Sequence, residues 1–264
     1  MIINQDVNAR QRDYTQSPSE ILVTKMFPTL QGEGPLAGRF AIFLRLAGCN
    51  LGAKHSCEWC DTDFKLKEGK VRRICDLLAE AEDLVLGKRK ILVLTGGEPM
   101  LQNPFRLIEY FLNHGWLVQI ETNGYFWSDE MDDVARRHKD FVLVVLSPKV
   151  NQRLEYPTIQ PKLLHASSCL KILVDADESS PYHRVPGFAF EYLSRGWSNP
   201  VYVSPINHYR RAPHSKDEAV GFWDTLGSPL DFQRCKANHR YAAALAMKYG
   251  FMLSLQTHLF AELE

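Results

Sequence analysis

The feature that most restricts the fold of this chain is how its short apolar segments end. From residue 40 onward, apolar runs alternate with longer amphipathic stretches, a pattern typical of strands connected by helices. Nearly every apolar run is followed by small or polar residues that can bind a ligand or react. In parallel α/β sheets and barrels the active site lies at the carboxyl ends of the strands, so these residues are expected to converge on one site.

The alternation predicts the following elements. Strands are expected at residues 21–27, Phe40–Leu46, 90–94, 116–120, 141–146, 170–174, 200–203 and 251–255. Helices are expected at residues 72–86, 103–114, 129–138, 184–194 and 235–249, with Ser128 as the N-cap of the third. Counted from Phe40 onward, six or seven mainly parallel strands predict an α/β fold in the form of a partial TIM-like barrel.

The residues after the strands define where a site is expected. They are Gly48-Cys49, Thr95-Gly96-Gly97-Glu98, Glu121-Thr122-Asn123-Gly124, Ser147-Pro148-Lys149, Asp175, Ser204-Pro205-Ile206-Asn207 and Gln256-Thr257-His258. Any one of these segments is compatible with routine turn chemistry. Their repetition after seven predicted strands indicates a shared function at one mouth of the barrel.

Length and charge limit the function. The chain has 264 residues and 45% hydrophobic content, enough for one sizeable core. We expect one domain over residues 22–264, with a polar arm over residues 1–21 and an inserted loop at about residues 209–234. Lysine plus arginine equals aspartate plus glutamate at 31 each, so charge favours a small-molecule substrate over nucleic acid or a membrane surface. Without a secretory signal or an apolar spanning run, the protein is expected to be soluble and cytoplasmic.

Three cysteines stand close together after the strand predicted at Phe40–Leu46, at positions 49, 57 and 60. Thiolate is a soft ligand suited to zinc, copper or iron and sulfur. The Cys57-Glu58-Trp59-Cys60 spacing lets two sulfurs face one metal from a tight turn. A disulfide is disfavoured in a reducing cytosol, and the spacing disfavours a purely structural role. The segment therefore predicts a metal centre.

The kind of metal stays open on the cysteine count alone. His55 could complete a closed Cys3His zinc site. An iron–sulfur cluster held by only three cysteines leaves one iron open for a substrate or cofactor, which agrees with the other strand-end segments. The remaining cysteines, Cys75, Cys169 and Cys235, lie in or beside apolar runs and are predicted to be small core residues rather than ligands.

With these segments assembled, the chain resembles the radical S-adenosylmethionine enzymes, and within them the 7-carboxy-7-deazaguanine synthases of queuosine and deazapurine biosynthesis. The resemblance covers roughly residues 21–264. Its most specific motifs are Thr29-Leu30-Gln31-Gly32-Glu33-Gly34, Phe43-Leu44-Arg45-Leu46-Ala47-Gly48-Cys49, Cys57-Glu58-Trp59-Cys60-Asp61-Thr62, Thr95-Gly96-Gly97-Glu98-Pro99, Glu121-Thr122-Asn123-Gly124, Ser147-Pro148-Lys149 and Gln256-Thr257-His258. The family's common pattern has three residues between the first two cysteines, whereas seven separate Cys49 from Cys57 here, so the path of residues 50–56 stays open.

The resemblance implies a radical lyase. Cys49, Cys57 and Cys60 would hold a [4Fe-4S] cluster whose open iron chelates S-adenosylmethionine. The 5′-deoxyadenosyl radical would abstract hydrogen from C6 of 6-carboxy-5,6,7,8-tetrahydropterin, and ring contraction with loss of ammonia would give 7-carboxy-7-deazaguanine. No catalytic residue is implied beyond this cofactor-held radical. An electron donor such as flavodoxin and a homodimer are further expectations from the family.

The resemblance also implies the residues of the site. The cofactor is expected against Trp59, Cys60, Asp61, Gly97, Glu98, Ser147, Pro148, Lys149, Ser204, Pro205, Ile206 and Asn207. The pterin is expected against Leu30, Gln31, Gly32, Arg45, Thr95 and Glu264. The terminal α-carboxylate of Glu264 would accept hydrogen bonds from the pterin N–H groups. Thr62 is implied as a ligand of Mg²⁺, a hard cation that prefers oxygen donors.

Two other functions remain open. Another radical S-adenosylmethionine enzyme, such as one that makes a glycyl radical on a partner protein, would share the cysteines, but Gln31, Arg45 and Thr62 favour the synthase. A zinc-stabilised binding module would use the same cysteines and His55 as structural ligands and would have no turnover. Iron with acid-labile sulfide in anaerobically purified protein indicates an enzyme, whereas stoichiometric zinc indicates the module.

Overall fold

One mixed sheet forms the centre of the protein. The structure, a computed structural model, describes residues 17–51, 57, 59–60, 64–209, 230–261 and 263. Within them the strands are β1 (Glu20–Leu30), β2 (Phe40–Leu46), β3 (Lys70–Arg73), β4 (Ile91–Gly96), β5 (Leu117–Thr122), β6 (Val142–Leu146), β7 (Cys169–Val174), β8 (Val201–Pro205) and β9 (Met252–Leu253). The α-helices are α1 (Ile74–Val85), α2 (Phe105–Asn113), α3 (Asp129–Arg137), α4 (Pro161–Ala166), α5 (Gly187–Ser194), α6 (Phe232–Tyr249) and α7 (Thr257–Phe260). Short 3-10 helices cover Gly34–Leu36, Leu66–Glu68 and Pro99–Gln102.

The sheet is mainly parallel and open. Its strand order is β3-β1-β2-β4-β5-β6-β7-β8-β9. The neighbours from β2 to β9 are parallel, whereas β1 runs antiparallel to both β2 and β3. The two outer strands of this order, β3 and β9, are not paired with each other in the described residues, so the sheet is not closed. The prediction of an α/β fold with mainly parallel strands is confirmed.

Alternate side chains of each strand point to opposite faces of the sheet, which separates a helix-covered face from a cavity-lining face. On the first, which we call the outer face, Leu92, Ile120 and Ile172 are at most 1% exposed. They pack in the main core with helix residues such as Leu77 of α1 and Ile108 of α2. This contact between helices and sheet explains why the helices are amphipathic and why the strands contain apolar runs.

The opposite face, which we call the inner face, changes character along the strands. It has apolar parts, with one cluster around Val93 and another that joins Val145 to Tyr202. Toward the carboxyl ends it carries polar side chains such as Thr95 of β4 and Ser204 of β8. The apolar part closes the bottom of a cavity, and the polar part lines it.

Several predicted boundaries shift in the structure. Ser128 Oγ accepts a hydrogen bond from the Met131 N–H at 3.1 Å, so the predicted N-cap of α3 is confirmed. The helix α6 begins at Phe232, inside the predicted inserted loop, because the Asp231 side chain accepts from the Arg234 N–H at 3.2 Å and caps it. An antiparallel bridge joins Tyr209 to Leu230 and holds the two ends of the insertion together.

Two of the predicted segments lie largely outside the described residues. Residues 210–229 of the inserted loop and residues 1–16 of the polar arm are not described. The described end of the arm overlaps β1, which begins at Glu20. Strand β3 and the short helices α4 and α7 were not among the predicted elements. None of the helices in the described part of the chain combines the length and apolar character that crossing a bilayer requires.

Candidate active site

A cavity of about 230 Å³ opens at the carboxyl ends of the parallel strands. Of the residues predicted for the site, those lining it are Leu30, Gln31, Arg45, Cys49, Cys57, Trp59, Cys60, Thr95, Gly97, Glu98, Ser147, Lys149, Ser204, Pro205, Ile206 and Asn207. Gly32 and Pro148 are buried next to the cavity but do not line it. Asp61, Thr62, Glu264 and His55 lie outside the described residues. The structure therefore brings most of the predicted residues together, and their roles stay predictions.

The three clustered cysteines share this cavity and are thiols rather than disulfides. The Cys60 N–H donates to the Cys57 carbonyl at 2.9 Å, which is the tight turn that the spacing predicts. Burial raises the pKa of the Cys57 thiol to about 11, with Lys149 acting in the opposite direction and Cys49 in the same direction. Among the described residues, no group of three or more His, Cys, Asp or Glu is arranged closely enough to hold a metal ion. As a donor set, three thiols at one cavity fit a soft iron–sulfur group.

The start of the cysteine segment is fixed by the loop after β4. The Gly97 N–H donates to the Leu46 carbonyl at 3.2 Å, and the Glu98 N–H donates to the Gly48 carbonyl at 2.9 Å. A Cβ on Gly97 would lie 1.9 Å from the Gly48 carbonyl oxygen. Sequence analysis assigned Gly97 to close approach of a cofactor, but the approach that the structure shows is that of the cysteine segment's own backbone.

Glu98 is a buried anchor, 1% exposed, between β4 and β5. Its carboxylate accepts from Thr122 Oγ1 at 2.7 Å, from the Asn123 N–H at 2.7 Å and from the Met100 N–H at 3.0 Å. Burial raises the pKa of Glu98, although these hydrogen bonds act in the opposite direction. Both oxygens therefore have protein partners, so the predicted contact with a cofactor ammonium group has to use a remaining lone pair.

The loop after β1 is held by the segment after β9. The Thr257 N–H and Thr257 Oγ1 both donate to the Gly32 carbonyl at 3.1 Å. A Cβ on Gly32 would lie 1.9 Å from Nδ1 of His258, whose side chain lines the cavity. The contact between Gly32 and a pterin stays a prediction, and the structure adds that the His258 ring packs against Gly32.

The inner face carries a charged cluster that sequence analysis did not assign to the site. Lys171 of β7 donates to the Glu33 carboxylate and, at 3.2 Å, to Glu121 Oε2. Burial by itself would lower the pKa of Lys171, but the two carboxylates raise it well above its usual value. Burial would raise the pKa of Glu33, but Lys171, followed by His258 and Lys149, lowers it overall. This is a buried cation between two carboxylates.

A second buried lysine, Lys149, borders the cluster. Its ammonium group donates to Ser147 Oγ at 2.7 Å and to the Ser147 carbonyl at 2.9 Å. Burial lowers the pKa of Lys149, and repulsion from Lys171 lowers it further. Its hydrogen-bond partners are neutral, and Cys57, Glu121 and Glu33 are the groups whose charges oppose this lowering of its pKa.

The side of the cavity formed by β8 contains one unsatisfied polar atom. Ser204 is 1% exposed, and its Oγ has no hydrogen-bond partner in the described structure. Asn207, a few residues later, donates to Gln256 Oε1 at 2.5 Å and pairs with His239 Nε2 at 2.9 Å. A buried hydroxyl without a partner is costly, so this atom is an exception to the usual pairing of buried polar groups.

Arg45 and Thr95 are opposite each other on β2 and β4, which explains why both reach the cavity. The guanidinium group of Arg45 lies over the ring of Phe27, with 4.9 Å between Cζ and the ring centroid. Stacking on an aromatic ring fixes the orientation of a guanidinium plane, and the guanidinium group carries a permanent positive charge. Arg45 is therefore a suitable partner for an anionic group in the cavity.

The three dispersed cysteines divide into two groups. Cys169 and Cys235 are buried, as predicted, and burial raises the pKa of the Cys169 thiol to about 12 and of the Cys235 thiol to about 11. Cys75 is exposed on α1, so the prediction that it is a core residue is wrong. It occupies a solvent-facing position of the helix, next to the buried Ile74 and Leu77, which the apolar run did not distinguish.

Sequence signals for the missed residues existed but were indirect. Glu33 and Glu121 belong to motifs that were identified, without a role of their own. Lys171 interrupts the otherwise apolar strand Cys169–Val174, and a charged residue inside a fully buried strand requires a partner. The identity of the partners depends on contacts between β7, β5 and the loop after β1.

An open parallel sheet with thiols and paired charges at the carboxyl ends of its strands defines an α/β enzyme. The 7-carboxy-7-deazaguanine synthase of Rhodospirillum rubrum is 32% identical over 237 residues, 89% of this chain and 89% of that protein. The synthase of Hyperthermus butylicus is 32% identical over 247 residues, 91% and 92% of the two chains. The chain belongs to the 7-carboxy-7-deazaguanine synthase family.

Comparison with solved structures concerns the fold. The crystal structure of QueE from Escherichia coli matches with a TM-score of 0.60, covering 96% of this chain and 98% of that chain at 21% sequence identity. At this identity the match shows the shared α/β fold alone. No protein-family model matches the chain.

Proposed function

We propose that this chain converts 6-carboxy-5,6,7,8-tetrahydropterin to 7-carboxy-7-deazaguanine with loss of ammonia, as a radical S-adenosylmethionine lyase in queuosine or deazapurine biosynthesis. The observation that carries the proposal is that three clustered cysteines and a set of buried charges line one cavity. The relatives named as 7-carboxy-7-deazaguanine synthases support it over nearly the whole chain. The open sheet would act as a partial barrel with the cluster at its carboxyl mouth.

Cys49, Cys57 and Cys60 would hold a [4Fe-4S] cluster, because their thiols share the cavity and supply the soft donors it needs. When bound, the cluster and S-adenosylmethionine supply one-electron cleavage of a sulfonium and hydrogen abstraction. Burial works against the thiolate of Cys57, so the nearby positive charge of Lys149 would help to stabilise the ligand form.

The cofactor would occupy the side of the cavity between the cysteines and β8. Trp59, which packs edge-on against Tyr182 with centroids 5.9 Å apart, would provide an apolar wall. Lys149 would pair with an anionic group, and Ser204 Oγ would gain the hydrogen-bond partner that it lacks. Gly97 and Glu98 would act by holding the cysteine segment in place.

The pterin would occupy the opposite side. Arg45 would bind the substrate carboxylate, with Thr95 beside it. Gln31 donates to Glu121 Oε1 at 3.2 Å, and both line the cavity with Glu33. In the proposal these three side chains would accept hydrogen bonds from N–H groups of the pterin. Leu30 would cover the ring, and excluding water would protect the radical chemistry.

Further features of the sequence prediction complete the proposal. Thr62 would bind Mg²⁺, and the α-carboxylate of Glu264 would reach the pterin. An electron donor such as flavodoxin would supply the reducing equivalent, and the enzyme would act as a homodimer in the cytoplasm. We propose residues 22–264 as one catalytic domain that includes the inserted loop.

One experiment tests the function directly. Anaerobically reconstituted protein is incubated with S-adenosylmethionine, a reductant and 6-carboxy-5,6,7,8-tetrahydropterin, and 7-carboxy-7-deazaguanine is followed by mass spectrometry. We expect product in amounts exceeding the protein. Cleavage of S-adenosylmethionine without this product would redirect the assignment to another radical enzyme. Stoichiometric zinc without iron or acid-labile sulfide would favour the binding module.

A further inference from the structure

The charged cluster on the inner face contains a lysine that the proposed reaction does not yet explain. Lys171 is 7% exposed and lies in the middle of β7, with Cys169 and Leu173 on the same face. It is the donor to Oε2 of Glu33 and to Oε2 of Glu121. Glu33 comes from the loop after β1 and Glu121 from β5, so one side chain joins three distant parts of the chain.

The other oxygens of these carboxylates differ in their surroundings. Glu121 Oε1 accepts from Gln119 Nε2 at 2.7 Å and from Gln31 Nε2 at 3.2 Å. Both carboxylates line the cavity, and Lys171 pairs with Oε2 of each. Lone pairs that these protein donors leave unused would be presented on one side of the cavity, and their separation would depend on Lys171.

We infer that Lys171 is a positioning residue for the pterin: it holds the carboxylates of Glu33 and Glu121 together and oriented to accept hydrogen bonds from a neutral ligand with adjacent N–H groups. The inference rests on the proposed function, which it deepens. Lys171 itself makes neither an ion pair nor a hydrogen bond with the ligand. Its role is to make two buried carboxylates compatible with each other.

The physical reason is the cost of two like charges in one buried site. Two carboxylates without a cation between them repel each other and lose hydration, and one of them then takes up a proton. A protonated carboxyl offers one acceptor fewer and turns away from its neighbour. The charged or titratable groups that act on Glu33 are Lys171, His258 and Lys149, and Glu121 shares Lys171 with it. Lys149 is committed to Ser147, so it is a poor substitute for Lys171.

The test uses two variants and a matched control. Lys171→Met keeps the length of the side chain and removes the charge. Lys171→Arg keeps the charge and alters the geometry of the pairing. Lys90→Met removes a lysine that pairs with Glu82 at 2.8 Å away from the cavity. Iron content, far-ultraviolet circular dichroism and cleavage of S-adenosylmethionine without pterin are measured for each, followed by pterin affinity from pH 5.5 to 8.5 by anaerobic calorimetry.

For Lys171→Met we expect pterin affinity to fall by at least about tenfold at pH 7, with cluster content and cleavage of S-adenosylmethionine retained. The loss should deepen as the pH falls, because carboxylates without the cation take up protons at a higher pH than in the parent protein. Lys171→Arg should restore a flat pH profile while leaving affinity about threefold to tenfold below the parent protein. Lys90→Met should match the parent protein.

The outcomes that overturn the inference are distinct. Parental affinity and a parental pH profile in Lys171→Met would exclude any role in binding. Full affinity in Lys171→Arg would exclude positioning, and this arm decides the question if Lys171→Met does not fold. Failure of the parent protein to bind the pterin would instead overturn the proposed function.

A measurement without substrate further distinguishes a failure of this inference from a failure of the proposed function. Infrared difference spectra over the same pH range report protonated carboxyl groups in the protein itself. Lys171→Arg and the parent protein should show the same carboxylate ionisation, whereas Lys171→Met should show an added carboxyl band at pH 7. Lys171→Met spectra identical to the parent spectra would contradict the inference even if the chain acted on another substrate.

Discussion

The two faces of the same sheet follow different rules of stabilisation. On β7 the outer face presents Leu170, Ile172 and Val174 to the helices, and burial of apolar area is sufficient to stabilise them. One residue away, the inner face presents Lys171, which is nearly as buried but requires two carboxylates from elsewhere in the chain. An apolar side chain can pack against many kinds of neighbour, whereas a buried charge requires specific groups that pair with it.

This difference separates stability from function. Outer-face substitutions should change the free energy of unfolding, because they leave a void in the core. Inner-face substitutions near the cavity should change affinity or turnover, because the groups there are arranged for a ligand. The predictions below test whether the two effects separate, and they run from the largest expected effect to the smallest.

The largest effect should come from the cysteines at the cavity. Replacing any one of Cys49, Cys57 or Cys60 with Ala should reduce product formation below detection, because removal of one of three ligands leaves a labile cluster. Iron and acid-labile sulfide per chain should fall with it. Cys75→Ala is the control, since Cys75 is exposed on α1 and should retain both. Normal iron content in Cys57→Ala would exclude Cys57 as a ligand.

The outer face is tested by Ile172→Ala. Ile172 is 1% exposed in the main core, so truncation should lower the free energy of unfolding by about 2–5 kcal/mol. Denaturant titration of the protein measures this loss. Pterin affinity of the folded variant should stay within about twofold of the parent protein, since Ile172 faces away from the cavity. A large loss of affinity with unchanged stability would contradict the view that outer-face residues serve stability and inner-face residues serve binding.

Gly32→Ala tests the contact between the loop after β1 and His258. The new Cβ would meet Nδ1 of His258 at 1.9 Å, so the imidazole ring has to leave its position at the cavity. We expect pterin affinity to fall at least about tenfold with little change in cluster content. Gly187→Ala is the control, because a Cβ there meets no atom within 4 Å. Equal affinity in both variants would show that the ring position is unimportant.

A smaller effect is expected from Ser204→Ala on the inner face. Its buried Oγ has no partner in the described structure, so removing it should not lower the free energy of unfolding. Affinity for S-adenosylmethionine should fall about fivefold if the hydroxyl binds the cofactor. Calorimetry on reconstituted protein compares the affinity of Ser204→Ala for S-adenosylmethionine with that of the parent protein. A clear loss of stability with unchanged affinity would place Ser204 with the structural residues.

The smallest effect concerns the pH dependence of stability. The pKa of Glu33 is lowered from its ordinary value of 4.5, so its ionised form stabilises the fold above that pH and the contribution disappears as the pH falls below it. Glu33→Gln should therefore lower the free energy of unfolding by about 1 kcal/mol at pH 7 and by less at pH 4. The loss at pH 7 is limited because Lys171 keeps its ion pair with Glu121. Denaturation at both pH values provides the measurement. A constant difference would show that the ion pair contributes nothing through ionisation.

Much of the architecture could be predicted because it depends on local patterns. The strands β2, β4 and β5 and the helices α1 to α3 follow from apolar runs and amphipathic periodicity. The cap Ser128 follows from short-range chemistry. Strand β3 and helix α7 were missed, because elements of four residues carry too little periodic signal to stand out.

For the candidate site, the sequence by itself determined which residues follow each parallel strand, and so which reach the cavity. It also determined the three-cysteine segment, because ligand spacing is a property of neighbours in the chain. Only the tertiary structure decided that Gly97 allows the backbone of Gly48 to approach closely and that Gly32 lies against His258. It also decided that Lys171 joins Glu33 to Glu121, since the pairing of a buried charge depends on which strands become neighbours.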